Sequence, residues 1–222
     1  DYMSLYNYVN KKIKNEEKYY VYLDEVQNVP EFQKAVDGLY IKKNVDLYIT
    51  GSNAYLLSGE LATLLSGRYI EIKMLPLSFK EYCSAFEEKN ESKDRLFLEY
   101  MKNGGMPGNI SILETNPNDI DKYLDGIFST VVYKDIMARN NIGDKMLLES
   151  VIKFVYDNIG NPISTKKISD TLTSKGISTS NHTVENYLTS FLESFLIYKA
   201  ERFDVKGKNL LARDYKYYAV DT

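Results

Sequence analysis

Tyr19-Tyr20-Val21-Tyr22-Leu23-Asp24-Glu25-Val26-Gln27 is the stretch on which the reading of the fold turns. An apolar run stops abruptly at two adjacent carboxylates, as a strand buried on both faces does when it presents charge at its carboxyl end. Open α/β sheets bind ligands at that end. Downstream, Glu31–Tyr40 reads as a helix, with Pro30 suited to its first turn and Phe32, Ala35, Val36 and Leu39 on one face. Val45–Thr50 is a second strand running into Gly51-Ser52-Asn53. A short helix carrying Leu56, Leu57, Leu61, Leu64 and Leu65 follows, and Tyr69–Met74 is a third strand closed by Pro76. Upstream, Ser4 to Lys14 reads as a helix. Strands alternating with helices predict a parallel sheet covered by helices.

From Ser78 to Asn140 the pattern turns helical. A helix opens near Ser78 and runs through Glu81–Lys89, and Lys93–Lys102 forms another. Gly104-Gly105-Met106-Pro107-Gly108 reads as a rigid turn. A longer helix spans about Pro117 to Arg139, with Ile120, Leu124, Ile127, Phe128, Val131, Val132 and Ile136 at helical spacing. Beyond Asp144 the order is three helices (Lys145–Asn158, Thr165–Ser174, His182–Phe195) and two strands (Ile197–Phe203, Tyr215–Val220) around Lys206-Gly207-Lys208. That order predicts a winged helix, a helix-turn-helix variant with a β-hairpin wing.

Bulk properties exclude several classes. The 222 residues are 44% apolar and 27% charged, which is ordinary for a globular protein. A formal charge of −3 gives no global attraction to nucleic acid or anionic membrane. The single Cys83 rules out an internal disulfide framework, and the lone His182 a histidine-rich metal centre. With no long apolar run and no signal-peptide pattern, the chain is expected to be cytoplasmic, with no membrane partner. It opens at Asp1-Tyr2 inside a helix and ends directly after a strand, so both ends are expected to be cut from something longer.

Two acids at a strand end suit nucleotide hydrolysis. Asp24 can hold Mg²⁺, and Glu25 can orient or deprotonate the attacking water. The pair reads as a Walker B element, although no G-x-x-x-x-G-K-[ST] occurs in the 222 residues. On the neighbouring strand end, Thr50, Ser52 and Asn53 are candidates to contact the γ-phosphate or hold the water, because a hydroxyl or amide donates without disturbing the carboxylates. Ser52 or Asn53 can equally be a helix N-cap. Arg68 can reach a γ-phosphate in its own or a neighbouring subunit, or be a surface arginine paired with one of the many acids.

Leu23-Asp24-Glu25-Val26-Gln27, Ile49-Thr50-Gly51-Ser52-Asn53, Ser66-Gly67-Arg68 and Leu75-Pro76-Leu77-Ser78-Phe79 together resemble successive blocks of one group. It is the AAA+-type prokaryotic ATPases related to the archaeal ATPase group. Gly104-Gly105-Met106-Pro107, Lys134-Asp135-Ile136 with Arg139, and Val205-Lys206-Gly207-Lys208 followed by Tyr217-Tyr218-Ala219-Val220-Asp221 fit the same group. The resemblance implies an α/β chain: a partial P-loop (AAA+-like) sheet over 1–77, a helical lid over 78–143 and an α+β winged-helix domain over 144–222. It implies ATP and Mg²⁺ as ligands in the intact protein, with a homo-oligomer assembled through Arg68. Members of the group begin with a Walker A strand and loop and continue, past the winged helix, into a further domain. The Walker A strand would lie between the second and third strands here, so its neighbours are expected to be left unpaired. Without that loop's amides and lysine, these 222 residues are expected to bind ATP weakly and to be inactive alone.

The third helix of the C-terminal segment buries Val184, Tyr187, Leu188, Phe191, Leu192 and Phe195, and turns out Thr183, Glu185, Asn186, Thr189, Ser190 and Glu193, with no Lys or Arg. That surface suits a DNA major groove poorly. The wing carries Lys199, Arg202, Lys206, Lys208, Arg213 and Lys216, which can touch a phosphate backbone, form a solvated hairpin or dock a further domain. Lys134 and Arg139 complement a helix end or face the nucleotide. The alternative to an ATPase is a non-catalytic module, a degenerate ATPase scaffold for a winged helix that binds DNA or protein.

Overall fold

The computed structural model of the protein describes residues 1–51, 68–89, 91–138, 140, 142–201 and 215–221. These form two compact units, 1–72 and 73–222.

The first unit opens with α1 (Tyr2–Lys12), which the Asp1 carboxylate caps by accepting the Ser4 N–H at 2.7 Å. Strand β1 (Tyr19–Leu23) leads through a 3₁₀ turn (Val26–Asn28) to α2 (Phe32–Tyr40) and strand β2 (Val45–Ile49). The strands pair in parallel, with Tyr19 opposite Val45 and Leu23 opposite Ile49. A parallel pair needs a crossover, and α2 supplies it. Val26 and Val36 are buried against Leu5, Leu23, Phe32, Leu47 and Ile49. The two helices approach closely at Gly38, where a Cβ would come 3.0 Å from the Tyr6 ring.

Three expectations fail in this unit. First, β1 is not buried on both faces. Its residues alternate, Tyr20 and Tyr22 stand 59% and 70% exposed, and Tyr22 stacks on Tyr48 of β2 at 4.8 Å between ring centroids. The apolar run therefore reflects one core face and one aromatic face. Second, Tyr69–Met74 joins no ladder, and Ile70 is 90% exposed. An extended segment becomes a strand only within a ladder of N–H and C=O groups, and among the described residues this one joins neither sheet. Third, Pro30 does not begin α2. Glu31, at φ +57°, intervenes, and the helix starts at Phe32. The expected leucine-rich helix lies outside the described residues.

In the second unit, α3 (Phe79–Ser84) starts with a reciprocal capping box, in which Ser78 Oγ accepts the Glu81 N–H and the Glu81 carboxylate accepts the Ser78 N–H at 2.8 Å. Helix α4 (Lys93–Asn103) ends at Gly104, whose φ of +76° favours glycine. The expected turn is short, because Pro107 opens a further helix, α5 (Pro107–Thr115). The long helix predicted from Pro117 divides into a 3₁₀ turn (Pro117–Asp119), α6 (Ile120–Thr130) and a π-helical stretch over Val131–Ala138. Phe128, expected inside, is 42% exposed, while Val132 and Ile136 of the π stretch are buried.

The C-terminal elements are α7 (Lys145–Asp157), a short β3 (Pro162–Ile163), α8 (Thr165–Ser174), α9 (Asn181–Glu193), β4 (Ile197–Ala200) and β5 (Tyr215–Ala219). The strands form an antiparallel sheet in the order β3-β5-β4. Its core joins Leu148, Val151 and Val155 of α7, Ile168 of α8, Val184 and Phe191 of α9, and Ile197 and Tyr217 of the sheet. Val132 and Ile136 complete it from the π stretch. Side-chain oxygens of Asp144, Ser164 and Ser180 cap the three helices. Two positions differ from expectation on α9. Ser190 is buried and donates to the Asn186 carbonyl at 2.9 Å, and Phe195 leaves the helix at φ +52° and is exposed.

A closure joins residues far apart in this unit. The Gly105 N–H donates to Asp221 Oδ1 and Oδ2 at 2.8 and 3.0 Å. The Leu77 N–H donates to the Gly105 carbonyl at 2.7 Å, and the Tyr100 hydroxyl to the Leu77 carbonyl at 2.7 Å. Buried Asn109 donates through Nδ2 to the carbonyls of Asn103 and Gly104. Burial and the charge of Asp221 push the Tyr156 phenol up to about 12. No helix among the described residues is long and apolar enough to cross a membrane.

Candidate functional site

The carboxyl ends of β1 and β2 bring Asp24, Glu25 and Thr50 together. The Thr50 N–H donates to the Leu23 carbonyl at 2.9 Å, which carries the ladder one residue past β2. Its hydroxyl then donates to Asp24 Oδ1 and accepts the Glu25 N–H at 3.1 Å. The Val26 N–H donates to the Thr50 carbonyl at 3.2 Å. One threonine thus ties both acidic residues to the neighbouring strand.

Glu25 takes the left-handed conformation, with φ +47° and ψ +45°. For a residue with a Cβ this costs about 1–2 kcal/mol. The conformation turns the chain sharply off β1 into the 3₁₀ turn. Val26 anchors that turn in the core at 2% exposure. Gln27, half-buried, donates through Nε2 to Glu25 Oε2 at 2.5 Å, and its Oε1 is buried without a hydrogen-bond partner. Gln27 closes the Leu23–Gln27 block that carries the family resemblance, but its residue type alone suggests no role there.

The Arg68 side chain lies against α2, where it pairs with Asp37 at 3.3 Å and lies over the Tyr40 ring at 5.3 Å. The pair is well exposed, and such contacts contribute little to stability. Ser52 and Asn53 lie outside the described residues, as does Arg139.

No group of three or more His, Cys, Asp and Glu is placed to hold a metal among the described residues. The donors that do converge, the Asp24 carboxylate and the Thr50 hydroxyl, are hard oxygens. Such a set fits Mg²⁺ that brings most of its ligands with it as water and nucleotide phosphate. It does not fit a zinc site.

Residues 1–83 match a family model described as an AAA domain, which supports an AAA+-like scaffold in the N-terminal part. Residues 94–222 match the domain of unknown function DUF8612, and the chain belongs to that family. That match lies over the helical segment and the three-helix unit, so a domain of unknown function follows the AAA-like part. An uncharacterized protein of Haemophilus influenzae is 46% identical over 209 residues, covering 93% of this chain and 52% of that protein. An uncharacterized protein of Methanocaldococcus jannaschii is 31% identical over 202 residues, covering 86% of this chain and 44% of that protein. The chain therefore spans about half the length of the curated relatives it matches. The solved structure of the Aeropyrum pernix ORC1 protein in complex with DNA is similar over the whole chain and 65% of its own, at 14% identity and a TM-score of 0.41. A likeness of that degree says nothing about site or partner.

Proposed function

We propose that this chain carries the Walker B half of an AAA+-type ATP-hydrolysing site. The observation that carries the reading is the Thr50 hydroxyl joined to both Asp24 and Glu25 at the ends of two parallel strands. Asp24 would hold Mg²⁺, which would supply neutralisation of charge on the nucleotide phosphates. Glu25 accepts the proton of the attacking water. Thr50, with Ser52 and Asn53 beyond it, reports the γ-phosphate to the acids. Arg68 leaves Asp37 to act on the γ-phosphate, in its own subunit or in a neighbouring copy. Residues 78–143 are the lid, and 144–222 a winged helix. The exposed positions of α9 (Asn181, His182, Glu185, Asn186 and Thr189) carry no Lys or Arg, which favours a protein contact over a DNA groove.

The test is Glu25→Gln in the full-length gene product. General-base loss typically costs about 10²–10⁴-fold in rate, so ATP turnover should fall by at least about a hundredfold while Mg-ATP binding persists. Parental turnover in that variant overturns the reading. The 1–222 chain, which has no phosphate-cradling glycine loop, should show no micromolar ATP affinity in a titration.

A further inference from the structure

The turn after β1 holds Glu25 at two places. Its backbone N–H is fixed on the Thr50 hydroxyl, and its carboxylate accepts the Gln27 amide at 2.5 Å. A carboxylate only accepts, so the amide must present Nε2 to it, and chemistry fixes which way Gln27 faces. That orientation leaves Oε1 buried and unpartnered. A buried carbonyl without a donor opposes folding, and an apolar side chain of the same length would avoid it. The amide is thus retained at a cost to stability, next to a residue that is itself in a strained backbone conformation.

We propose that Gln27 is a positioning residue for Glu25: it clamps the carboxylate in the orientation from which it meets the attacking water. The inference rests on Glu25 being the base of the proposed hydrolysis. Gln27 stands on a rigid support, because Val26 beside it is packed against Val36 in the core. Side chains held this way reduce the freedom lost on reaching the reactive geometry, so their effect falls on the chemical step and not on ground-state binding.

The experiment is a double-mutant cycle in the full-length gene product, with Gln27→Met, Glu25→Gln and the pair combined. Gln27→Met should lower kcat at least tenfold, leave KM for Mg-ATP within twofold, and leave the thermal midpoint unchanged or raised. Added to Glu25→Gln, it should cost nothing further, because Gln27 acts only through that carboxylate. Gln27→Glu, which cannot donate, should match the kcat loss of Gln27→Met with Mg-ADP affinity unchanged. Parental kcat in Gln27→Met, or the same loss with and without Glu25, overturns the inference. If Glu25→Gln is slow while Gln27→Met is fast, only the positioning role fails. If Glu25→Gln hydrolyses ATP like the parent, the Walker B reading fails with it.

Discussion

Replacing Asp221 by alanine removes the acceptor that closes the second unit. Gly105 is buried, and its N–H reaches both carboxylate oxygens of Asp221, at 2.8 and 3.0 Å. The two contacts share one donor, so they count as one charge-assisted bond of about 1.5–3 kcal/mol. Asp221 is partly exposed, and water can enter beside the shortened side chain, which places the expected loss near the middle of that range, at about 2 kcal/mol. For a unit of this size the thermal midpoint should fall by about 4–8 °C. Asn keeps one oxygen acceptor without the charge, so Asp221→Asn should lose less than half as much. A second perturbation checks the geometry. A Cβ on Gly104 would come 2.7 Å from Asp221 Oδ2, so Gly104→Ala should cost less in the Asp221→Ala background, where only the strain of φ +76° remains, than in the parent. Urea unfolding of the four variants reads all these terms. An Asp221→Ala midpoint equal to the parent's, or strictly additive losses for the pair, would refute the closure.

Three further outcomes follow from single side chains. Tyr82 is fully buried with its hydroxyl unpartnered, and burial pushes its pKa up. Tyr82→Phe keeps the ring against Phe86 and Tyr100 and should raise stability by about 1 kcal/mol in denaturant unfolding; a loss would mean that the hydroxyl has a partner. Phe195 sits at the left-handed position after α9 with its ring exposed, so Phe195→Asn should raise the thermal midpoint by a gain of about 0.5–1 kcal/mol. Hydrogen bonds from the Ser78 side chain and backbone hold the Glu81 carboxyl below its ordinary 4.5. A depressed acid contributes stability that is present above its unfolded value and lost as pH falls through the folded one. Ser78→Ala should therefore lower stability at pH 7 and flatten the stability profile below pH 4.5 in urea titrations. An unchanged acid limb would count against the capping box.

Elements whose signals are local were legible. The polar caps before α7, α8 and α9, and the apolar spacing behind them, delimit those helices to within a residue or two. The two short strands of the N-terminal unit announce themselves by β-branched and aromatic residues before polar punctuation. What depends on a distant partner was not legible. Tyr69–Met74 has strand composition but joins no sheet among the described residues, and composition carries no trace of that. Asp221 reads as a polar chain end, and only its meeting with Gly105 gives it a task. At the candidate site, residue types drew attention to Asp24, Glu25 and Thr50 separately. The hydroxyl that joins them, the left-handed Glu25 and the Gln27 contact are consequences of backbone direction, which residue type does not encode for a glutamate. The exposed tyrosine face shows the same limit, since Tyr serves equally in a core and on a wet surface.

The π-helical stretch at Val131–Ala138 carries a consequence for how this family can vary in length. A π turn holds one residue more than the α turn it replaces, so such a stretch behaves as an absorbed insertion. Losing one residue there would let the helix relax to α geometry with the side chains beyond still in register, whereas the same loss within α6 would swing every side chain beyond it by about 100° around the axis. Val132 and Ile136 sit within the stretch and plug the C-terminal core. A one-residue loss should therefore be better tolerated at the exposed positions of the stretch than within α6, and members of the family that differ in length between Ile120 and Asp144 should differ there.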